Sequence, residues 1–283
     1  MSNNFKKPLK PPSNLDLPFF AYGIFKPNQL SYSNIKNYVK REFPSEIKYK
    51  MLMRDGVPLI VPNDKYKSTG YLIYFKEDCK SEAYEIISNS QVDRLYKWEV
   101  IQVGQNRANV LMGVNPDLGS SPMYENHGNY DGRKDPFFNE ALDVVEKELN
   151  DKNKHWADIG DFFKLQMAYM LLWSAIDRYC TLKYEGQSFG DYHRKLADER
   201  VFKNALKKHV TSKRTVYSSQ DLWNYTLNYK KPYYSLKYYY TIRCNVVHRG
   251  KAIHDDEYML RASLTELLNI FRDVLDGTFN SDD

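Results

Sequence analysis

The segment NPDLGSSPMYENHGNYDGR, residues 115–133, separates two parts of the chain that have different sequence patterns. It is dense in Gly, Pro, Asn and Ser, and it carries neither the two-residue period of a strand nor the 3.6-residue period of a helix. The sequence therefore predicts a linker at 116–134, an N-terminal domain at 17–115 and a C-terminal domain at 135–283. Residues 1–16, MSNNFKKPLKPPSNLD, are expected to form a flexible tail.

The part before this segment contains short runs that are typical of strands. Six runs are rich in β-branched and aromatic residues and are bounded by Pro, Gly, Asn or Asp: LPFFAYGIF, KYKMLMR, VPLIV, TGYLIYF, LYKWEVIQV and ANVLMGV. Helical patterning appears in only two places, LSYSNIKNYVKREF at 30–43 and CKSEAYEIISNS at 79–90. This pattern predicts a compact α+β or barrel-like domain.

The part after the segment has a helical period. Asp135 and Pro136 open DPFFNEALDVVEKEL as an N-cap and a first-turn proline, and DFFKLQMAYMLLWSAIDRYCTLKY continues the helical pattern. Further helices are predicted in DYHRKLADERVFKNALKKHV, SSQDLWNYTLNYKKP, YYSLKYYYTIRCNVVHRG and DDEYMLRASLTELLNIFRDVLDG. The C-terminal domain should be an all-α bundle of roughly four or five helices, which makes the whole chain α+β.

The amino-acid composition limits the classes of protein to which the chain can belong. The 283 residues are 42% hydrophobic, and the formal charge of +5 permits a polyanionic partner without requiring one. Cys79, Cys180 and Cys244 are far apart and form no C-x-x-C motif, so neither a disulfide framework nor a metal site is predicted. Because no window approaches about 18 consecutive apolar residues, we expect no membrane contact. The isolated cysteines fit a reducing cytoplasm, and we expect no cofactor.

Four N-terminal stretches occur in a characteristic order: AYGIFKP, DGVPLIVP, TGYLIYF and LYKWEVIQV. Over residues 17–115 this order resembles the gamma-glutamylcyclotransferase-like family, whose pattern runs Y-G-x-L-x-P, G-x-P-x-[LIV], V-x-G-x-[LIV]-Y and Y-x-R-x-x-V-x-V. The resemblance implies a small mixed β-barrel in which Tyr22, Gly23 and Ile24 form the ligand-binding turn. From the residues alone, Gly23 can also mark only the point where a strand turns.

The general acid/base of that family, a Glu in an I-D-x-x-E motif, falls on Gln91 in ISNSQVDRLY. A carboxamide has no proton to exchange near neutral pH, so it can hydrogen-bond a ligand but cannot shuttle protons. We therefore expect a degenerate cyclotransferase-like domain that responds to a small-molecule or protein regulator. An active cyclotransferase stays open as an alternative if Glu85 or Glu99 supplies the carboxylate.

The stretch YYYTIRCNVVHRGKA, residues 238–252, places an arginine and a histidine near a predicted helix end. At about 100° per residue, an apolar stripe runs at i, i+4 and i+8 from Tyr238, and Arg243 and His248 lie about 140° apart on the outward half. Gly250 is typical of the position after a helix, so His248 should lie in the last turn. Side chains five positions apart do not meet on one helix, so Arg243 and His248 require a partner surface to act together.

The order FFKLQMAYMLLWSAIDRYC, an intervening helical pair, IRCNVVHRGK and a last amphipathic helix resembles the HEPN domain, whose signature is R-x(4–6)-H. Arg243 and His248 match the signature with four intervening residues. The resemblance implies a metal-independent endoribonuclease that is a homodimer through its helical domain, with two copies of the motif facing each other. A toxin or an antiviral-defence effector is the setting that the resemblance implies.

The resemblance also implies roles for single residues. His248 would exchange a proton with the ribose 2′-OH or the leaving 5′-oxygen, and Arg243 would hold the scissile phosphate, leaving a 2′,3′-cyclic phosphate and a 5′-hydroxyl. The family often has Asn, Asp or His directly after the Arg, whereas Cys244 stands there in this chain. Asn245, about 60° from His248 on the helix, is expected to orient the imidazole instead.

Tyr239, Tyr240, Arg249 and Lys251 are the predicted RNA contacts, because aromatic faces beside cations suit single-stranded bases and phosphates. Tyrosine-rich helices also bury their rings in a core, so packing is the alternative role for each tyrosine. Exposed Arg and His side chains are common at helix ends. A non-catalytic, two-domain RNA- or protein-binding protein is therefore the second function that the sequence allows.

Overall fold

The computed structural model describes residues 9–54, 56–91, 93–116, 119–122, 129–155, 158–184, 189–218, 223–249 and 253–280, without the side chains of 121, 122, 189, 248, 249 and 253–255. The chain divides into two compact units. The first comprises Met1–Gly132 and Leu182–Gly186, and the second comprises Arg133–Thr181 and Gln187–Asp283. Within the described ranges, every helix is too short or too polar to span a membrane.

Among its described residues, the first unit contains two sheets and one α-helix. Its elements are β1 Phe19–Ala21, β2 Val39–Ile47, β3 Tyr49–Arg54, β4 Val57–Pro62, β5 Ser68–Phe75, α1 Lys80–Asn89, β6 Tyr96–Val103, β7 Asn106–Gly113 and β8 Ser120–Pro122. The larger sheet has the order β2-β5-β1-β7-β6, with β1 and β7 parallel and the other pairs antiparallel. The smaller sheet, β4-β3-β8, is antiparallel. Five of the predicted strand runs and the helix at 79–90 are confirmed, whereas LPFFAYGIF is a strand only at Phe19–Ala21 and forms a 3₁₀ turn at Gly23–Phe25.

Two expectations for this unit need correction. No closed barrel forms among the described residues, because β2 and β6 remain the two edges of the larger sheet. The helix predicted at 30–43 is wrong: two single 3₁₀ turns, Tyr32–Asn34 and Lys36–Tyr38, lead into β2. Pairing of β2 with β5 outweighs the local helical pattern, and Pro44 is tolerated because β2 is an edge strand.

The second unit consists of helices and one short hairpin. Its elements are α2 Pro136–Asn150, α3 Ile159–Lys183, α4 Phe189–Asp198, α5 Arg200–His209, β9 Thr215–Tyr217, β10 Asn224–Thr226, α6 Pro232–Arg249 and α7 Ile253–Phe279. Asp135 caps α2 as predicted, since its Oδ1 accepts from the backbone N–H of Phe137 at 3.0 Å. The helix predicted at 218–232 is wrong, because β10 pairs with β9 and α6 begins only at Pro232. The hairpin allows Val216 and Leu227 to be buried.

A buried hydrogen-bond network joins α3, α6 and α7. The Tyr239 hydroxyl donates to Glu266 Oε2 at 3.0 Å, and Arg214 forms an ion pair with the same carboxylate. Arg214 Nε also donates to the Tyr238 hydroxyl at 3.3 Å, and the Tyr169 hydroxyl donates to the Tyr239 carbonyl oxygen at 2.9 Å. All three rings are buried while their hydroxyls have partners, which fixes the rotation of α6 about its axis.

Candidate functional site

Helix α6 carries the predicted R-x4-H motif. It extends to Arg249, so His248 lies in the last turn as predicted. The side chains of His248 and Arg249, and all of Lys251, lie outside the described residues, and their proposed roles stay predictions. Tyr238 and Ile242 are buried, which confirms the predicted inward stripe at these two positions; Arg243 is half-buried, as Val246 of that stripe is, so its outward position stays a prediction.

Arg243 differs from other arginines of the second unit in its partners. Arg178 is paired with Asp135, Arg214 with Glu266 and Arg272 with Glu146. Arg243 instead places its Cζ 5.8 Å from the ring centroid of Tyr240. Its Nε is buried and has no hydrogen-bond partner among the residues that the structure describes. Because Arg243 is only half-buried, a ligand can approach its side chain from the solvent side, although the buried Nε itself is out of reach.

A cluster of polar and aromatic side chains from three helices surrounds Arg243. We call it the Asp177 cluster, and its members are Trp173 and Asp177 of α3, His193 of α4, and Tyr240 and Arg243 of α6. The His193 ring stands edge-on to Trp173 at 5.5 Å and to Tyr240 at 5.1 Å. His193 Nε2 lies 3.9 Å from Asp177 Oδ1. The carboxyl of Asp177, the imidazole of His193 and the guanidinium of Arg243 are thus brought together beside the Tyr240 ring.

The electrostatics of this cluster centre on Asp177. Burial raises the pKa of its carboxyl above the ordinary value, while His193 and Arg243 nearby partly offset that effect. A carboxyl with a raised pKa next to an imidazole is a typical feature of sites that bind or exchange protons. The sequence reasoning did not select Asp177 or His193, although Asp177 could have been noticed as a charged residue in the apolar run YMLLWSAIDRYC.

Asp177→Asn should raise the free energy of unfolding relative to wild type as the pH approaches neutrality. Because the folded pKa of Asp177 is raised, the folded protein binds its proton more tightly than the unfolded chain, whose Asp pKa is about 3.9. Stability due to this group is therefore present below that value and is lost as the pH rises through the folded pKa. Urea unfolding of both proteins across this range measures the difference, and an unchanged difference at every pH contradicts the assignment.

Of the residues predicted for RNA binding and catalysis, Tyr239 and Asn245 have structural contacts; the expected role of Asn245 beside His248, whose side chain lies outside the described residues, stays a prediction. Tyr239 is 0% exposed, so its ring cannot stack on a base, and its expected role as an RNA contact is wrong. Asn245 is 1% exposed, and its Nδ2 donates to the carbonyl oxygen of Tyr217 at 2.8 Å. This bond fastens β9 to α6. Tyr240, by contrast, is half-buried beside Arg243 and keeps its predicted place at the site.

The turn predicted to bind a ligand in the first unit is filled by the protein itself. Tyr22 and Ile24 are buried, and the Tyr22 hydroxyl donates to the carbonyl oxygen of Leu111 at 2.6 Å. Gly23 has a φ of +59°, and a Cβ placed on it would lie 2.4 Å from Cγ of Pro58. Glycine is therefore needed at this position, and Pro58 covers the backbone that a ligand would have to approach.

The Gln91 side chain is also used internally. It is buried, and its Nε2 donates to Ser90 Oγ at 3.1 Å; among the described residues it makes no hydrogen bond to the turn at Tyr22. Glu85 is exposed on α1, and Glu99 forms an exposed ion pair with Lys97 at 2.7 Å. Neither of these carboxylates is held next to the turn by a recorded hydrogen bond.

The candidate site contains no recognisable set of metal ligands. In the described part of the chain, no three His, Cys, Asp or Glu side chains come close enough to share a metal ion. The residues of the Asp177 cluster are therefore the basis on which a function can be assigned, since no protein-family model, no curated protein and no solved structure matches the chain.

Proposed function

We propose that the second unit is a metal-independent endoribonuclease of the HEPN type, with Arg243 as its phosphate-binding residue. The observation that carries the proposal is the half-buried guanidinium of Arg243, whose buried Nε has no hydrogen-bond partner among the described residues. A planar donor of this kind matches the oxygens of a phosphodiester. His248 follows five residues later on the same helix, where an imidazole can titrate at physiological pH.

The chemistry follows from the charges that develop during cleavage. The 2′-hydroxyl loses its proton and attacks the adjacent phosphorus, the bond to the 5′-oxygen breaks, and that oxygen takes up a proton; His248 exchanges one of these two protons and water exchanges the other. Arg243 offsets the negative charge that builds up on the phosphate oxygens. Asp177 and His193 act as positioning residues, because they lie beside Tyr240 and Arg243 on the neighbouring helices.

Incubation of the purified full-length chain with mixed RNAs in EDTA tests this function. We expect products that end in a 2′,3′-cyclic phosphate and a 5′-hydroxyl, as end-group analysis would detect. RNA that stays intact, or cleavage that depends on a divalent ion, contradicts the proposal. Intact RNA that is nevertheless bound by the protein would favour the non-catalytic alternative.

The proposal includes a homodimer, and an apolar surface beside the motif supports it. Phe163, Met167 and Leu171 are exposed at i, i+4 and i+8 on α3, and Val247 of α6 is exposed as well. These residues line a groove of about 850 Å³. Contiguous exposed apolar surface of this kind is typical of protein–protein contacts. Because Val247 lies inside the R-x4-H motif, a second copy seated here would bring two motifs to one interface.

Met167→Lys should weaken the dimer, because Met167 is 70% exposed at the centre of this stripe and a lysine there would be buried without a partner charge. Disruption of a central contact raises the dissociation constant by roughly 30-fold or more. Sedimentation velocity over a range of protein concentrations measures the shift. Tyr258→Lys, on an equally exposed aromatic side chain of α7, is the matched control and should leave association unchanged.

For the first unit we propose a degenerate cyclotransferase-like module that binds a regulator and performs no cyclotransferase chemistry. The covered turn at Gly23 and the buried carboxamide of Gln91, which cannot exchange protons, support the absence of cyclotransferase chemistry, and we place the regulator elsewhere on the unit. Release of 5-oxoproline from gamma-glutamyl peptides by the purified protein would contradict this part of the proposal. We also place the protein in a reducing cytoplasm, in keeping with the free thiols of Cys79, Cys180 and Cys244.

A further inference from the structure

Cationic and aromatic side chains alternate along one side of the second unit. We call this row the tyrosine–cation strip, and its members are Arg194 of α4 and Tyr233, Lys237, Tyr240 and Arg243 of α6. Arg194 Cζ lies 5.5 Å from the Tyr233 ring centroid, and Lys237 Nζ lies 5.6 Å from that ring and 5.5 Å from the Tyr240 ring. Arg243 Cζ completes the row at 5.8 Å from Tyr240.

The spacing of the strip follows from helix geometry. Tyr233, Lys237 and Tyr240 stand at i, i+4 and i+7, which places them on one face of α6. Tyr238 and Tyr239 point to the core and are fully buried, whereas Tyr233, Lys237 and Tyr240 are half-buried. The structure thus separates the tyrosines that pack inside from those that a ligand can reach.

The strip has a direction and a length. From Tyr233 to Arg243 the helix rises about 15 Å. At the Tyr233 end the row of rings continues through Tyr234, whose centroid is 6.0 Å away, to Tyr225 of β10 at a further 6.4 Å. At the other end it reaches Arg243, the residue to which the proposed function assigns the scissile phosphate.

We propose that the tyrosine–cation strip binds single-stranded RNA and leads it to Arg243. On binding, Arg194 and Lys237 turn from the faces of the Tyr233 and Tyr240 rings to the phosphates, and bases stack on the ring faces that they leave. A duplex does not fit this recognition, because its bases are stacked on one another and present no free faces to the rings. The inference deepens the proposed function and rests on it for the direction of the strand toward the reaction.

Fluorescence anisotropy with a labelled single-stranded RNA tests the strip in the full-length His248→Ala protein, which keeps the RNA intact. Tyr233→Ala should weaken binding by roughly 5- to 150-fold, the range for loss of one stacked base. Tyr233→Phe retains the ring and should restore binding. Lys237→Ala should lower the slope of log K against log salt by about 0.7, the value for one single-strand phosphate contact. Lys152→Ala, at an exposed lysine after α2, is the charge-matched control and should leave affinity and slope unchanged.

A labelled RNA duplex of the same length is the second ligand in this binding assay. We expect its weaker binding to be unaffected by Tyr233→Ala. The strip is contradicted if Tyr233→Ala and Lys237→Ala both bind single-stranded RNA like the parent, or if duplex and single strand lose affinity equally. Cleavage by the wild-type protein in EDTA is measured separately. If RNA binds through the strip but is not cleaved, only the proposed function is contradicted. If RNA is cleaved but the strip variants bind it like the parent, only the strip is contradicted.

Discussion

Arg243→Ala should lower the rate of RNA cleavage by about 10²- to 10³-fold, the cost of removing one preorganised charge-stabilising donor. Its guanidinium lies against the Tyr240 ring and has a buried Nε without a hydrogen-bond partner among the described residues, and its charge partly offsets the burial of the Asp177 carboxyl. Because the interaction strengthens as charge builds up in the transition state, the fall should appear in kcat more than in KM. Single-turnover cleavage of one labelled RNA in EDTA measures it.

The controls separate chemistry from folding. Arg200→Ala removes an exposed arginine at the start of α5 and should leave cleavage unchanged. Arg243→Lys retains the charge but loses the planar fork, so an intermediate rate is expected. Thermal unfolding of each variant should stay close to that of wild type. Wild-type kcat in Arg243→Ala, with the fold intact, would remove Arg243 from the mechanism.

Glu266→Ala should lower the free energy of unfolding by about 3–5 kcal/mol, because it leaves the largely buried Arg214 without its counter-ion and the Tyr239 hydroxyl without its acceptor. The ion pair lies in the network that joins α3, α6 and α7. Calorimetry that resolves the transition of the second unit measures the effect. This is the largest change in stability that we expect from a single substitution at a polar residue of that unit.

Control variants show whether the loss of stability comes from the buried ion pair. Glu46→Ala removes a glutamate from an exposed ion pair with Lys67 and should change stability by only about 0–1 kcal/mol. Arg214→Met combined with Glu266→Leu removes both charges and should recover part of the loss, because no buried charge is left without a counter-ion, although the Tyr239 hydroxyl still lacks its acceptor. A loss in Glu266→Ala no larger than that in Glu46→Ala would show that the network contributes little.

Local patterns were sufficient where a segment's own residues decide its structure. TGYLIYF became β5 because β-branched and aromatic residues suit a strand, and DPFFNEALDVVEKEL became α2 because Asp135 caps its first turn. Long-range pairing decided the failures: β5 draws residues 39–47 into a sheet, and the buried Val216 and Leu227 hold a hairpin where a helix was predicted.

The candidate site was predictable only in part for the same reason. The spacing of Arg243 and His248 and the predicted outward position of Arg243 follow from the rotation of one helix. His193 and Asp177 reach Arg243 from other helices, so no local pattern connects them. Tyr239 and Tyr240 are adjacent in sequence, and contacts from other helices, among them the hydrogen bond of Tyr239 to Glu266 on α7, place the ring of Tyr239 in the core.

The buried tyrosines also limit how the protein tolerates alkali. Burial raises the pKa of the phenols of Tyr22 in the first unit and of Tyr169 and Tyr239 in the second. In the unfolded chain these groups ionise near pH 10, so their contribution to stability is complete below that pH and is lost above it. Each buried phenol can lower the free energy of unfolding by up to about 1.4 kcal/mol per pH unit once the phenol of the unfolded chain is ionised. Hydroxide should therefore unfold both units abruptly, with phenolate appearing only as the cores open.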